Sequence, residues 1–527
     1  MKKLSGLILT AWEEELYDDP CRNFILDGVK NGFHIIDPTM SPQRVELPNH
    51  PSATKDPKLI SMATDQIELE IKEGNYVQVP SPPVIVSPLG IIPKSDGGIR
   101  IIHDCSRPKG EAVNDYVSNS HKFKYQSLDD ATQLVGHGYF MAKVDLKSAY
   151  RSVPISPESQ KVTGFKWTLN GVTAYFVDTK LPFGSKEAPG IFHRLSQAVR
   201  RMMARRGFNI VAYLDDFFIC ESSKARCRKA LSCLIFLLRK LGFYINWKKV
   251  VDPTQHLTFL GIDINSVSMQ LSLPENKLLE LRRELASFMG RQRASKQQLQ
   301  SLAGKLNWAA SVVYGGRAFL RRIINAICIL KHKSHKIRLS HTVKQDIAWW
   351  YRFLETFNGK SLLLDSIPIT SVYTDACTSG AGGVWNQDWF YCNWERDFPS
   401  ASHLHINEQE TLAVIIAAHR WAPLWSNRKV IFFSDNSTTV NSINKCLSRN
   451  DTVMKCLRSL FWLSASYNFR FVAKHVPGKE NALADCISRL HDPLNVKFLL
   501  SNLSSCLQWG DIPHMSQRSF LSFFMQA

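Results

Sequence analysis

Acidic residues are scarce for a chain of this size: Asp and Glu number 46 against 65 Lys and Arg, a formal charge of +19 over 527 residues. Such a deficit favours a polyanionic partner, of which nucleic acid is the commonest. A generally solvated basic surface is the plainer alternative. The 12 cysteines include no Cys-x-x-Cys pair, which argues against zinc ribbons, zinc knuckles and a secreted disulfide framework. Long apolar runs are also missing. A membrane-spanning helix needs about 20 apolar residues, and the nearest candidate, "LIFLLRKLGF", is broken by charge. The opening "MKKLSGLILTAWEEEL" imitates a signal peptide, but its short apolar run enters three glutamates instead of a small-residue cleavage site. Internal repeats and low-complexity segments are absent. The expectation is an intracellular protein, cytoplasmic or nuclear, with no membrane association.

What is present is an ordinary globular composition, 44% hydrophobic and 21% charged. At roughly 150 residues per domain, the length suggests three or four domains. Residues 1–79 are mixed, and the proline-rich "VPSPPVIVSPLG" reads as a boundary. Residues 80–265 alternate β-type runs with helical ones, the mark of an α+β or α/β domain. Residues 266–364 are mostly helical in periodicity and basic. From 365 to 492 come three strands, a helix, a strand, helices, a strand and a closing helix, which describe a mixed-sheet domain. A tail, 493–527, follows. The fold class expected is α+β and multidomain.

Two aspartates stand side by side between apolar runs in "NIVAYLDDFFICE". The pattern suits a hairpin with Asp215 and Asp216 at its turn, and "FMAKVDLKSAYRSVPI" offers a second strand ending at Asp145. With these strands as neighbours, three carboxylates meet at one end of a sheet. Like charges so close resist joint ionisation unless a cation resolves them. Oxygen-only ligands suit magnesium, and two such ions about 3.5–4 Å apart can activate a 3′-hydroxyl and stabilise a leaving pyrophosphate. Taken singly, an Asp pair at a hairpin tip is more often plain turn chemistry.

A second acidic set follows. Asp375 ends a strand leading into a glycine-rich turn, Glu410 lies on a helix, Asp435 ends a strand and Asp485 starts a helix. Each alone could cap a helix or sit on the surface, "SDN" in particular. Four at element ends in one domain-sized span look like a second two-metal site, activating water against a phosphodiester.

The motifs around 145 and 215, with "LPFGSKEAPGIF" between them and "FLGIDI" after, resemble the palm motifs of reverse transcriptases in order and spacing. That resemblance implies a right-hand polymerase of fingers, palm (80–265) and helical thumb or connection (266–364), followed by a ribonuclease H-like domain (365–492). It assigns Asp145, Asp215 and Asp216 to two metal ions, Mg2+ or alternatively Mn2+. Tyr150 would lie under the sugar of the incoming nucleotide and reject a 2′-hydroxyl. Phe183 and Gly184 would pack near nucleotide and template, and Lys94 and Arg100 of "IIPKSDGGIRIIHD" would hold the triphosphate. Lys248 or Lys249 in "NWKK" would face the pyrophosphate, with Lys248 the first candidate. The second set resembles ribonuclease H, with Asp375, Glu410, Asp435 and Asp485 as metal ligands and His475 assisting product release. Glu410 is preferred to Glu408 because "ETLAV" fits that family's context.

Finer phrasing, "SPLGIIPKSDGGIRIIHDCSRPKGEAVND" and "YFVDTKLPFGSKEAPGIF", resembles DIRS-like, tyrosine-recombinase retrotransposons, and more distantly gypsy-like, retroviral and hepadnaviral polymerases. The implied partners are an RNA template, a DNA primer and product, the RNA–DNA hybrid and dNTPs. An Asp-Ser/Thr-Gly protease motif is missing, and the tail after 492 is too short for an integrase or recombinase. A tyrosine recombinase would come from another reading frame, or the chain is a truncated or isolated gene product. Trp308, Trp349 and Trp350 are expected in the core of the basic helical segment, and the clusters at 200–206 and 331–338 suit phosphate contact or nuclear import. The rival reading is a decayed or co-opted nucleic-acid-binding protein that keeps the fold without catalysis.

Overall fold

The apolar runs on either side of Asp215 and Asp216 form an antiparallel hairpin, Ile210–Tyr213 with Asp216–Glu221. It is embedded in a four-stranded sheet whose order is Val251–Thr254, Phe140–Asp145, Asp216–Glu221, Ile210–Tyr213. These strands read as continuous apolar runs because both faces of the sheet are covered. Ala142, Val144, Phe217 and Ile219 pack into a core shared with the helices Ala188–Arg205 and Lys224–Lys240, while Phe218 meets Phe259 at 5.0 Å on the other face. Each large side chain buried this way contributes about 2–3 kcal/mol.

The coordinates are a computed structural model that describes residues 6–94, 97–117, 123–313, 316–356, 361–362, 368–426, 428–446 and 448–496. The chain divides into two units, Met1–Phe259 and Leu260–Ala527. In the first, a five-stranded sheet runs Val45–Glu46, Ile85–Val86, Gly164–Leu169, Val172–Asp178, Tyr76–Val79. Two of its strands come from residues 1–79, so that segment is built into the same unit. Its helix Leu9–Glu15 is anchored by Trp12, fully buried, whose Nε1 donates to the Leu241 carbonyl at 3.1 Å.

This anchoring also settles the surroundings of the basic cluster at 200–206. Arg201 pairs with Asp19 at 2.7 Å, Arg205 with Asp18 at 2.5 Å and Arg206 with Glu15 at 2.6 Å. These three arginines are thus paired with acids of the same chain. Periodicity and composition could not show this, because the acids lie some 190 residues upstream.

The second unit holds a five-stranded sheet in the order Asp388–Asn393, Gly380–Trp385, Ile369–Ala376, Lys429–Ser434, Arg470–His475. The first three strands are antiparallel and the last two join in parallel, so this is the mixed sheet expected from the pattern. The helices Ile406–Trp421 and Asp451–Tyr467 pack together, and the former also lies against Ile369–Ala376. Ahead of the sheet stand the helices Glu275–Gly290, Lys296–Ala309, Arg321–Ile329 and His341–Thr356. Trp350 is fully buried and Trp349 nearly so, as expected, but Trp308 is half-buried against Gly261. Lys331, Lys333, Lys336 and Arg338 are exposed. Most of the tail, 497–527, lies outside the described residues.

Candidate active sites

The sheet register places the first carboxylates. Asp216 lies directly opposite Asp145, and the Leu146 N–H donates to the Asp215 carbonyl at 3.1 Å, which ties the two strand ends together. The hairpin closes through Leu214 and Asp215, with Leu214 in the left-handed region at φ 52°. A tight two-residue turn of this kind requires positive φ, and here a leucine accepts it. Asp145 is held on both oxygens: Asn246 Nδ2 donates to Oδ1 at 3.0 Å and Lys249 Nζ to Oδ2 at 3.1 Å. Its hydrogen bond to Asp145 raises the Lys249 ammonium above its usual range.

Burial, followed by the Asp145 charge, raises the Asp215 carboxyl. Burial also pushes Asp216 up to about 6, against the pull of Lys143 and with added repulsion from Asp215 and Asp145. Asp216 Oδ1 is buried and has no hydrogen-bond partner, with Lys143 Nζ 3.9 Å away. An orphaned carboxylate oxygen among three acids fits a site for a divalent cation, which the hard oxygen donors suit.

Of the other predicted residues, Tyr150 and Arg100 lie near enough to interact electrostatically with Asp215. The Tyr150 ring stacks on Phe183 at 5.1 Å, and the Arg100 guanidinium lies 5.6 Å from the Phe183 ring centre. Gly184 is required where it stands: φ is +133° and a Cβ would come within 1.9 Å of the His103 carbonyl oxygen. Lys94 is exposed at the end of the hairpin Leu89–Pro93/Ile99–His103, and residues 95–96 beyond it lie outside the described residues. Of the two lysines in "NWKK", Lys249 and not Lys248 reaches the acids. Asn246 was missed by sequence reasoning; its place at the head of "NWKK", three residues before Lys249, was the available signal.

In the second unit, Asp375, Glu410 and Asp435 bring carboxylate oxygens within 4.8 Å of one another. Asp375 ends the central strand and is 3% exposed; Glu410, on the helix crossing it, is 4% exposed. Burial, then repulsion from Asp375 and Asp435, pushes Glu410 up to about 9. Burial pushes Asp375 up to about 7, against a 2.7 Å hydrogen bond from Ser488. Glu410 and Asp375, which resist ionising, share their pocket with a third carboxylate and so fit a cation site as well. Asp485 lies beyond that trio, paired with Arg489 at 2.8 Å, yet close enough to repel Asp375. His475 Nε2 sits 3.0 Å from the Asp435 carbonyl oxygen, at the end of the neighbouring strand. Glu408 faces away: it accepts from the His405 N–H and from Asn450 Nδ2, closing the helix N-terminus. Ser434 and Ser488, which touch Glu410 and Asp375, carried no signal in the sequence.

Residues 92–264 match the family model described as reverse transcriptase (RNA-dependent DNA polymerase). The chain is similar to the Gag-Pol polyprotein of avian reticuloendotheliosis virus, 28% identical over 28% of this chain and 14% of that one. It is similar to the enzymatic polyprotein of figwort mosaic virus, 24% identical over 68% of this chain and 51% of that one. Similarity to the transposon Tf2-3 polyprotein of Schizosaccharomyces pombe is 22% over 86% of this chain and 32% of that one. The chain thus spans about half or less of the length of these relatives. A solved foamy viral protease-reverse transcriptase in complex with double-stranded DNA shares the fold, with TM-score 0.54 at 18% identity over 90% of this chain and 84% of that one. The foamy viral enzyme in complex with RNA/DNA hybrid is alike at TM-score 0.54 and 17% identity, over 89% of this chain and 63% of that one. Residues 92–264 are therefore a reverse transcriptase domain of the kind found in retroviral and retrotransposon polyproteins.

Proposed function

We propose that the chain copies RNA, and DNA, into DNA at the Asp145/Asp215/Asp216 site and cleaves the RNA of the resulting hybrid at the Asp375/Glu410/Asp435 site. The observation that carries this reading is the placement of Asp145 directly opposite Asp216, beside Asp215, at one sheet end. On this reading residues 80–265 are fingers and palm, 266–364 thumb and connection, and 365–492 the ribonuclease H domain. Its substrates are dNTPs, an RNA template, a DNA primer and the RNA–DNA hybrid. The element is of the DIRS-like kind, with a tyrosine recombinase as a further partner, and the protein works in the cytoplasm or nucleus. No helix among the described residues is long and apolar enough to cross a membrane.

Asp145, Asp215 and Asp216 would hold Mg2+, or Mn2+ in its place, and Asp375, Glu410, Asp435 and Asp485 would do so at the second site. Bound there, the ions supply a lowered pKa for the attacking hydroxyl or water and neutralise the leaving group. The chain's own residues do the rest. Arg100 and Lys94 offset the charge of the triphosphate. Tyr150, braced on Phe183, closes the floor beneath the sugar, where a 2′-hydroxyl would collide with its ring. The Lys249 ammonium, held at Asp145, can donate a proton to the departing pyrophosphate. At the second site His475 stands over the Asp435 backbone, placed to ease the product away.

Primer extension and hybrid cleavage on one preparation test the proposal. Asp215→Asn should abolish synthesis and spare cleavage, and Glu410→Gln should do the reverse. Joint loss of both activities in either variant contradicts separate sites. A parent chain that binds hybrid but performs neither reaction under Mg2+ or Mn2+ supports the non-catalytic binder instead.

A further inference from the structure

Arg151 follows Tyr150 in "DLKSAYRSVPI", and its side chain is only 11% exposed. A guanidinium buried so deeply must be paired, or the fold loses several kcal/mol. Here it is paired twice. Nη1 donates to Asp178 Oδ1 at 3.0 Å and Oδ2 at 2.8 Å, while Nε and Nη2 reach Glu70 Oε2 at 3.2 and 3.1 Å. The guanidinium also lies 5.0 Å from the Tyr76 ring centre. Asp178 ends the strand Val172–Asp178 and is 2% exposed; Glu70 lies on the helix Pro57–Lys72, which precedes the family-matched region. Both carboxylates are themselves fixed, Asp178 by the Lys180 N–H at 2.9 Å and Glu70 by Asn75 Nδ2 at 2.7 Å.

Tyr150 and Arg151 share one short 3-10 turn, Ala149–Ser152, entered through Ser148 at φ 51°. The Arg151 N–H donates to the Ser148 carbonyl at 2.9 Å, and the Val153 N–H to the Tyr150 carbonyl at 3.2 Å. Such a turn has little freedom of its own, so fixing Arg151 fixes the Tyr150 backbone. The Tyr150 ring then meets Phe183 at 5.1 Å and Phe192 at 5.6 Å. A planar fork gripping two carboxylates sets position in a way that an ammonium cannot.

We propose that Arg151, Asp178 and Glu70 are positioning residues for Tyr150 and thereby set the discrimination between deoxyribo- and ribonucleotides. The helix Pro57–Lys72 in the N-terminal segment thus takes part in nucleotide selection. The proposal rests on the reading of Tyr150 as the floor beneath the sugar.

Single-nucleotide incorporation by the full chain tests it, with kcat/KM measured for a dNTP and the matching rNTP. Glu70→Gln leaves the Arg151–Asp178 pair in place and so keeps the fold. It should raise the rNTP-to-dNTP ratio about five- to tenfold, part of the worth of one hydrogen bond to a charged group. Arg151→Lys, which keeps the charge and loses the fork, should raise it too. Tyr150→Val should raise the ratio further, and adding Glu70→Gln to that variant should change nothing more. A merely structural role would move thermal stability without moving this ratio. An unchanged ratio in both Glu70→Gln and Arg151→Lys, beside a raised one in Tyr150→Val, overturns the positioning role alone. So does an equal effect of Glu70→Gln with and without Tyr150. An unchanged ratio in Tyr150→Val overturns the reading of Tyr150 and this proposal with it.

Discussion

Replacing Glu410 by Gln should make the metal-free protein more stable, although it removes a side chain proposed to be essential for hybrid cleavage. Glu410 is 4% exposed and shares its pocket with Asp375 and Asp435. Its carboxyl is raised from 4.5 to about 9, by burial first and by the neighbouring acids second. A carboxyl raised in the folded state supports the fold fully below pH 4.5, and that support is lost as the pH climbs toward 9. At pH 7 the unfolded chain has gained about 3 kcal/mol by ionising while the folded chain has not, at about 1.4 kcal/mol per pH unit. At pH 5 the difference is below about 1 kcal/mol. Gln fills the same space and cannot ionise, so it removes the penalty. Urea unfolding in the presence of a chelator, followed by the fluorescence of the buried Trp394, Trp421 and Trp425, reads the effect. The variant should gain about 3 kcal/mol over the parent at pH 7 and little at pH 5. Mg2+ should then stabilise the parent more than the variant. A variant no more stable than the parent at pH 7, or one whose gain does not depend on pH, refutes the reasoning.

Two further outcomes follow from single contacts. Lys249→Ala should slow primer extension about a hundredfold or more, the range for a lost general acid, whereas Lys248→Ala should leave it near the parent rate; equal effects would contradict the assignment. Asp346 is 1% exposed between Arg322 at 3.2 Å and Arg458 at 3.7 Å. Asp346→Asn should therefore cost about 3–5 kcal/mol in urea unfolding, and an unchanged midpoint would show that these charges are not interdependent.

Much of both acidic clusters was legible because most of these acids stand at the ends of strands, and strand ends show in the apolar pattern. Asp215 and Asp216 interrupt an apolar run, Asp145 ends another, and the register brings them together. Glu410 was separable from Glu408 by its context, and the capping role of Glu408 explains why two glutamates stand so close. Long-range partners were not legible. Nothing local in "NWKK" tells which lysine turns inward; the 3-10 turn Trp247–Lys249 decides it by carrying Lys249 back to Asp145. Glu15, Asp18 and Asp19, which pair with Arg206, Arg205 and Arg201, are equally invisible to a window-by-window reading. Residues 1–79 looked like an extension because their strands are short. Their pairing partners, at 85–86 and 172–178, appear only once the sheet closes.

The central claim is that both acidic clusters exist to grip divalent ions. Anomalous scattering from a crystal of the full chain soaked in Mn2+ tests it most directly. The account predicts peaks within ligand distance of Asp145, Asp215 and Asp216 and of Asp375, Glu410 and Asp435. Crystals saturated with Mn2+ that show density at neither cluster would contradict it.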